Sequence, residues 1–235
     1  MRPPAVAAAG GLKILYDARM AAFDSPRIAS AEHVTVAGPV GPLQAIAGEP
    51  RGSAQPLYAI VCHPHPLYGG TMDNKVVYTL AKALQSVGAA TLRFNFRGVG
   101  NSAGEYDGGA GETQDAAAVA AYGAARWPGK RLVLAGFSFG AFVALRLSLA
   151  VEAAHLITVA PPVGRFDFSA LGAPQCPWLI VQGDADDVVD PNAVITWARG
   201  LAAAPKLVVL PGVGHFFHGR LAELGDTVIE ALRSG

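Results

Sequence analysis

The alternation of apolar runs with amphipathic segments constrains this chain more than any other feature. From about residue 33 onward, short and nearly continuous apolar runs are followed by longer segments whose apolar residues recur at helical spacing. The short runs predict buried strands, and the periodic segments predict helices. Continuous apolar strands that are joined by helices indicate a mostly parallel sheet covered on both faces.

The predicted strands number about eight. Two alternating runs, 33–37 and 43–47, flank a turn-forming segment and predict a leading hairpin. The other strand candidates are 57–62, 90–96, 131–135, 155–159, 178–182 and 206–210. The helix candidates are 75–87, 112–127, 139–151, 192–202 and 216–233. We therefore predict one α/β domain over residues 31–235, and we expect residues 1–30 to form a tail or surface appendage.

Composition narrows the classes of function. The chain has 18 basic and 18 acidic residues, and neither sign of charge forms a stripe, which argues against nucleic acid as a partner. No apolar run approaches the roughly 20 residues that span a bilayer. The small-residue run 5–11 is too short for a signal peptide. We expect a cytoplasmic protein that is not held in a membrane, with Cys62 and Cys176 as reduced thiols.

The pattern G-x-S-x-G marks a candidate nucleophile, and it occurs twice, at 100–104 and 136–140. A nucleophile elbow needs a strand, a tight turn and then a helix, so that a strained serine stands exposed at the turn. Ser138 follows an apolar strand candidate and precedes an apolar helical segment. Ser102 is followed by a glycine-rich segment that disfavours a helix. We therefore predict that Ser138 is the nucleophile and that Ser102 is a loop residue.

A serine hydroxyl needs a base, and after an elbow of this kind the expected chain order is serine, acid, histidine. Four aspartates crowd the loop that follows the strand candidate 178–182. We choose Asp186 as the acid because it lies three residues past Gly183 and just before Val188 and Val189, whose apolar side chains should hold the loop against the fold. Asp184 and Asp187 remain alternatives.

The base candidate is His215, which follows the last strand candidate and is preceded by two glycines in a short loop. Its place in the chain order predicts that it accepts the proton of the nucleophile. His63 and His65 follow the third strand at a spacing that suggests a metal site. No carboxylate or thiolate set accompanies them, so we predict no metal.

An oxyanion hole needs backbone N–H donors from two places in the chain. One donor is the amide that follows the nucleophile, that of Phe139. The other is expected in the loop after the third strand, where the two prolines have no N–H to donate. We favour His65, with Leu67 and Tyr68 as close alternatives.

Several segments belong to one recognisable pattern: 63–75 (HPHPLYGGTMDNK), 93–102 (RFNFRGVGNS), the Ser138 turn, the Asp186 loop and 215–219 (HFFHG). From about residue 33 to the end, the chain resembles the α/β-hydrolase superfamily. Within that superfamily it resembles the small capless bacterial hydrolases that are labelled dienelactone-hydrolase-like or predicted esterases. Dienelactone hydrolases use a cysteine nucleophile, whereas the elbow position here is Ser138, so their activity is not implied.

The resemblance also implies an open site. Many members insert a cap in the stretch that corresponds to 160–176, which here is long enough only for a loop. The aromatic residues that are candidate walls of such a site are Tyr68, Phe137, Phe216, Phe139, Phe166 and Phe168. Core packing explains each of them equally well.

Together these features predict a serine hydrolase that cleaves small carboxylic esters through an acyl-enzyme. Thioesterase and small-peptidase activities use the same groups and remain alternatives. A non-catalytic binding protein on the same fold is the alternative from another class. The expected partner is a small-molecule acyl substrate, and we expect no cofactor because no nucleotide, flavin or metal motif is present in the sequence.

Overall fold

The computed structural model describes residues 31–234, so the tail predicted for residues 1–30 lies outside the described residues. The strands are β1 (Ala31–Gly38), β2 (Gly41–Gly48), β3 (Leu57–Cys62), β4 (Ala90–Phe94), β5 (Arg131–Phe137), β6 (His155–Val159), β7 (Trp178–Gly183) and β8 (Lys206–Leu210). The helices are α1 (Lys75–Ser86), α2 (Ala110–Arg126), α3 (Phe139–Ser148), α4 (Pro191–Arg199) and α5 (Leu221–Arg233). A 3₁₀ turn, Pro66–Tyr68, follows β3.

The eight strands form one sheet in the spatial order β1-β2-β4-β3-β5-β6-β7-β8. β2 runs antiparallel to β1 and β4, and every other neighbouring pair is parallel. The predicted α/β architecture, with a leading hairpin and a mostly parallel sheet, is confirmed. Because β3, β5, β7 and β8 run in the same direction, the loops that follow them emerge at one edge of the sheet.

Helices cover both faces of this sheet. On one face α1 packs beside α5, where Leu80, Leu84 and Val228 are fully buried. On the other face lie α2, α3 and α4, with Val119 and Val194 fully buried. Burial of such a side chain stabilises the fold by about 1.5–3 kcal/mol. Within residues 31–234, no helix combines the length and apolar content that crossing a bilayer requires.

Several predicted element boundaries differ from the structure by a few residues, and two of these differences have a clear local cause. The last helix begins at Leu221 and not at residue 216, because Phe217 (φ 53°) and Gly219 (φ 73°) have left-handed backbone conformations that an α-helix does not contain. β4 ends at Phe94 and not at residue 96, since the amide of Phe96 donates to a histidine side chain at 3.1 Å instead of to a neighbouring strand. Each of these two departures lies next to the edge where the candidate site forms.

Candidate active site

Ser138 stands on the sharp turn between β5 and α3. Its backbone has φ 52° and ψ −121°, a conformation that costs free energy for any residue other than glycine. The turn is held in place because the Ser138 amide donates to the carbonyl of Val159 at 2.8 Å, and the Ser138 carbonyl accepts from the amide of Ala141 at 2.8 Å. The side chain of Ser138 remains partly exposed at the carboxyl end of β5.

The two glycines of the G-x-S-x-G pattern allow this turn to close. A Cβ on Gly136 would lie 2.1 Å from the carbonyl oxygen of Gly140. A Cβ on Gly140 would lie 2.2 Å from the carbonyl oxygen of Cys62, at the end of β3. Neither contact is sterically allowed, so both positions need glycine. The close approach also brings the start of α3 against the loop that follows β3.

The second copy of the pattern has a different environment. Ser102 is buried, and its Oγ donates to the carbonyl of Asn95 at 2.7 Å and accepts from the amide of Gln44 at 3.0 Å. These hydrogen bonds join the loop after β4 to β2. Ser102 is therefore a structural loop residue.

The three side chains that were predicted as nucleophile, base and acid lie in one hydrogen-bonded chain. Nε2 of His215 is 3.1 Å from Oγ of Ser138, and Nδ1 of His215 is 2.8 Å from Oδ2 of Asp186. A carboxylate can only accept, so Nδ1 carries the proton and Nε2 of the neutral imidazole is left to accept from the serine hydroxyl. This geometry is the one that general-base activation of a serine requires.

Both carboxylate oxygens of Asp186 accept hydrogen bonds. Oδ1 accepts from the amides of Val188 at 2.9 Å and Val189 at 2.8 Å, while Oδ2 accepts from Nε2 of Gln182 at 3.1 Å as well as from His215. Burial raises the pKa of Asp186. The hydrogen bonds from His215, Val189 and Val188 outweigh this effect, so the pKa lies below its usual value.

The alternative acids of the same loop are engaged elsewhere. Oδ1 of Asp184 accepts from the amide of Gly212 at 2.6 Å and joins the loops that follow β7 and β8. Asp187 is exposed to solvent. Asp190 accepts from the amide of Asn192 at 2.9 Å and so caps the start of α4. Asp186 is thus the aspartate of this loop that contacts His215.

The candidate oxyanion donors differ in whether their amides already donate a hydrogen bond. The amides of Phe139 and His65 donate to no acceptor within residues 31–234. The amide of Leu67 donates to Nδ1 of His65 at 3.2 Å, and that of Tyr68 donates to the carbonyl of His65 at 3.1 Å. The capping side chain of His65 thus already uses the N–H of Leu67, which counts against Leu67 as the second oxyanion donor.

His63 forms a buried link beneath this loop. Its Nδ1 donates to the carbonyl of Pro64 at 2.6 Å, and its Nε2 accepts from the amide of Phe96 at 3.1 Å. Burial, assisted by the charge of His65, outweighs the Pro64 hydrogen bond and lowers the pKa of His63 to about 4. The neutral ring therefore joins the loop after β3 to the loop after β4. Within residues 31–234, no group of three or more His, Cys, Asp or Glu side chains is arranged to hold a metal ion.

Comparisons with known proteins identify the family. A family profile described as serine aminopeptidase, S33 matches residues 67–167. An uncharacterized protein of Rickettsia prowazekii (strain Madrid E) is 35% identical over 205 residues, which cover 83% of this chain and 86% of that protein. XC6422 from Xanthomonas campestris, described as an α/β serine hydrolase without lid, has TM-score 0.84 and 47% identity, covering 87% of this chain and 94% of that chain. An α/β serine hydrolase homologue from Coxiella burnetii has TM-score 0.83 and 46% identity, covering 86% and 97%. This chain belongs to the lidless α/β serine hydrolases.

The absence of a lid agrees with the connection between β6 and β7 in this hydrolase. Residues 160–177 contain neither an α-helix nor a strand, and an isolated bridge joins Val163 to Phe166. The resemblance to capless members of the superfamily is confirmed. Ser138 is consequently reached from solvent without the displacement of a cap in the part of the chain that the structure describes.

The predicted wall residues of the hydrolase differ in exposure. The side chains of Tyr68 and Phe216 are 85% and 45% exposed, and they lie on the loops that carry His65 and His215. Phe137 is fully buried, and its ring packs against that of His215 with 5.0 Å between centroids. The prediction of Phe137 as a substrate wall is wrong, because the last residue of β5 points into the core.

Two residues beside the site were missed by the sequence analysis. Gln182 donates to Asp186, and its signal in the sequence is a polar residue near the end of an otherwise apolar strand. Tyr106 packs against His65 with 4.8 Å between ring centroids and against Phe139 with 5.8 Å. It lies in the glycine-rich loop before α2, where no periodic pattern predicts a contact.

Proposed function

We propose that this hydrolase cleaves small carboxylic esters, with Ser138 as nucleophile, His215 as general base and Asp186 as the group that orients His215. The observation that carries the proposal is the continuous hydrogen-bonded chain of these side chains, with distances of 3.1 Å and 2.8 Å. The strained backbone of Ser138 supports it, because such strain is retained where function requires it.

The proposed reaction has two halves. Nε2 of His215 accepts the hydroxyl proton of Ser138 while Oγ attacks the acyl carbonyl, and the oxyanion accepts from the amides of Phe139 and His65. The imidazolium, stabilised by Asp186, then protonates the leaving alkoxide and an acyl-enzyme remains. His215 then accepts a proton from water while the water oxygen attacks the acyl-enzyme, and it returns this proton to Oγ of Ser138 as the carboxylic acid is released. One oxyanion donor contributes about 3 kcal/mol to transition-state stabilisation.

Aminopeptidase activity is the second candidate, because the matching family profile carries that description. Such an enzyme must bind the charged terminal ammonium group of a peptide, for which a free carboxylate is the natural partner. Glu112 acts electrostatically on His65, yet its carboxylate already accepts from the amides of Asp107 at 2.8 Å and Gly109 at 2.7 Å. Glu112 is therefore not a free partner for an ammonium group, which supports an ester or thioester over a peptide.

The first test compares two variants that differ only in which copy of the serine pattern they alter. Ser138→Ala should lose labelling by a fluorophosphonate and lower the kcat of p-nitrophenyl ester hydrolysis by at least about 10³-fold. Ser102→Ala should keep both, because Ser102 is buried within the fold. The esters should run from acetate to dodecanoate, so that a chain-length optimum measures the acyl pocket.

The alternatives give distinct results in the same assay. Equal turnover by the wild type and Ser138→Ala would exclude Ser138 as nucleophile. Labelling of Ser138 without ester turnover would favour thioester or peptide substrates, which are tested with acyl-coenzyme A thioesters and aminoacyl p-nitroanilides. If the wild type shows neither labelling nor turnover of any of these substrates, a binding protein on this fold would be favoured.

A further inference from the structure

Two separate groups of aromatic rings flank Ser138. The first, which we call the aromatic platform, consists of His65, Tyr68, Tyr106, Phe139 and Phe166. The second, the base-side group, consists of Phe137, His215, Phe216 and His218. Among the described residues, no ring of one group packs against a ring of the other. The site therefore has two spatially separate aromatic sides.

The rings of the platform are in direct mutual contact. His65 lies at the centre, with centroid distances of 4.7 Å to Tyr68, 4.8 Å to Tyr106 and 5.1 Å to Phe139. Phe166 packs 5.4 Å from Phe139. These separations are those of stable aromatic pairs, so the rings hold one another in place.

Exposure shows that the platform is more than an extension of the core. Phe139 is 1% exposed and forms its floor, whereas His65, Tyr106 and Phe166 are half-buried. Phe166 is supported from below by buried Phe142, whose ring is 4.8 Å away. A cluster with a buried floor and partly exposed upper rings presents a fixed aromatic surface to solvent.

The chemistry of ester hydrolysis assigns each side to one part of the substrate. The leaving oxygen must lie within reach of Nε2 of His215, which places the alcohol part beside the base-side group. The platform contains both residues whose amides are proposed to bind the oxyanion, Phe139 and His65. The acyl group is the remaining substituent of the tetrahedral carbon and diverges from the leaving oxygen. Since the leaving oxygen lies beside the base-side group, the acyl group extends on the platform side of Ser138.

Charge at the platform favours a neutral acyl group. The carboxylate of Glu112 lies near His65 and Tyr106 and acts electrostatically on both. Arg97, on the loop that carries Tyr106, is held by both oxygens of Asp115 at 2.9 Å and 2.8 Å. An anionic acyl group would meet the like charge of Glu112 there.

We propose that the aromatic platform is an acyl subsite and that the preferred substrates are esters of neutral aryl-bearing carboxylic acids, whose ring stacks on His65, Tyr106 and Phe166. This inference rests on the proposed ester hydrolysis at Ser138. It names the acyl group as the part of the substrate that is recognised. A flat ring matches a fixed aromatic surface better than a flexible alkyl chain, which loses rotational freedom on binding.

The test uses two methyl esters that differ only in aromaticity, methyl 3-phenylpropanoate and methyl 3-cyclohexylpropanoate, with acid release followed in a pH-stat. Burial of apolar surface alone would favour the cyclohexyl ester or treat the two alike. Stacking on the platform should instead raise kcat/KM for the phenyl ester by about three- to tenfold. Because both esters release methanol, contacts of the leaving group with the base-side group are the same for the two substrates.

Matched leucine variants locate the effect. Tyr106→Leu and Phe166→Leu should each lower the phenyl-to-cyclohexyl ratio by about two- to threefold, because they keep apolar surface and remove a ring. Phe216→Leu removes a ring from the base-side group and should leave the ratio unchanged. Turnover of the cyclohexyl ester by each variant reports whether the site has stayed intact.

Three results would overturn the inference while leaving ester hydrolysis standing. They are a ratio near one in the wild type, a ratio that neither platform variant changes, and an aromatic preference that appears instead between benzyl acetate and cyclohexylmethyl acetate. Failure of the proposed function is distinguishable from these. In that case no ester is hydrolysed, or Ser138→Ala hydrolyses them as fast as the wild type, and the inference falls with it.

Discussion

At residue scale, the absent Cβ of Gly140 decides how closely the nucleophile turn approaches β3. An added Cβ would lie 2.2 Å from the carbonyl oxygen of Cys62, and both partners belong to regular elements that cannot easily move. We expect Gly140→Ala to lower the free energy of unfolding by about 1–3 kcal/mol and to reduce kcat. Gly172→Ala is the matched control, because a Cβ there meets no atom within 4 Å, and it should change stability by less than about 0.5 kcal/mol. Equal urea midpoints for the two variants would contradict the packing argument.

The buried ring of His63 gives a prediction about pH. Its pKa of about 4 lies below the value of roughly 6.5 that a histidine has in the unfolded chain. The unfolded chain therefore binds the proton first, and stability is lost as pH falls from about 6.5 toward 4. The difference between the two pKa values corresponds to a loss of about 3 kcal/mol in the free energy of unfolding once the pH lies below both values.

Urea denaturation at pH 7.5 and pH 4.5 measures this loss. His63→Gln should be less stable than the wild type at pH 7.5 and should show a smaller decrease between the two pH values. His33→Gln, on exposed edge strand β1, should decrease as the wild type does. The same decrease in His63→Gln and His33→Gln would assign the pH dependence to other groups.

A site residue can be predicted from the sequence when neighbouring residues in the chain determine its position, and cannot when contacts made on folding do. Ser138 is predictable because its turn needs glycines at fixed neighbouring positions, and His215 is predictable because the chain order limits the search. The choice between His65 and Leu67 as oxyanion donor depends on which amide the 3₁₀ turn already uses. The burial of Phe137 depends on where β5 ends and on the packing of the Phe137 ring against His215. Neither can be derived from spacing.

At element scale, a buried ion pair fixes the loop between β4 and α2. Asp115 of α2 accepts from the Arg97 amide at 3.0 Å, from Nε at 2.9 Å and from Nη2 at 2.8 Å, and its side chain is fully buried. Removal of one partner leaves a buried charge without compensation. The loop that this pair anchors carries Tyr106 to the side of His65.

We expect Asp115→Ala to lower the free energy of unfolding by about 3–5 kcal/mol. Glu32→Ala provides the contrast, because the Glu32–Arg126 pair has a comparable distance of 2.6 Å but its glutamate is 58% exposed, so the loss should stay below about 1 kcal/mol. Urea denaturation measures both. Similar losses in the two variants would show that burial does not set the strength of these pairs.

Most elements follow from periodicity, and the exceptions have local causes. The bounds of β3 and β6 agree with the apolar runs, because buried parallel strands need continuous apolar sequence. The bounds of the partly exposed edge strand β8 agree with its apolar run as well. The start of α5 does not, since the apolar and basic side chains of residues 216–218 continue the helical pattern while Phe217 has φ 53° and Gly219 has φ 73°. Backbone hydrogen bonds from Phe217 to Gly214 and from Arg220 to Phe217 hold this turn directly after His215.

At the scale of the whole molecule, the parallel sheet explains how residues far apart in sequence meet. Ser138, Asp186 and His215 follow β5, β7 and β8, which lie within four neighbouring strands of the sheet. Parallel direction places their carboxyl ends at one edge, and helices on both faces hold the strands rigidly. The wall residues and the aromatic platform arise from the loops at this edge, so they depend on loop conformation more than on the sheet.

The open edge leads to a prediction about catalysis at interfaces. Residues 160–177 form only a loop, and no helical insertion covers Ser138 within residues 31–234. An enzyme that must open a lid gains activity when substrate aggregates displace that lid. We expect instead that the hydrolysis rate of p-nitrophenyl butyrate saturates smoothly across its solubility limit, with Ser138→Ala as the blank. A rate that rises several-fold where the ester begins to aggregate would show that some segment of the chain covers the site in solution and moves away at an apolar surface.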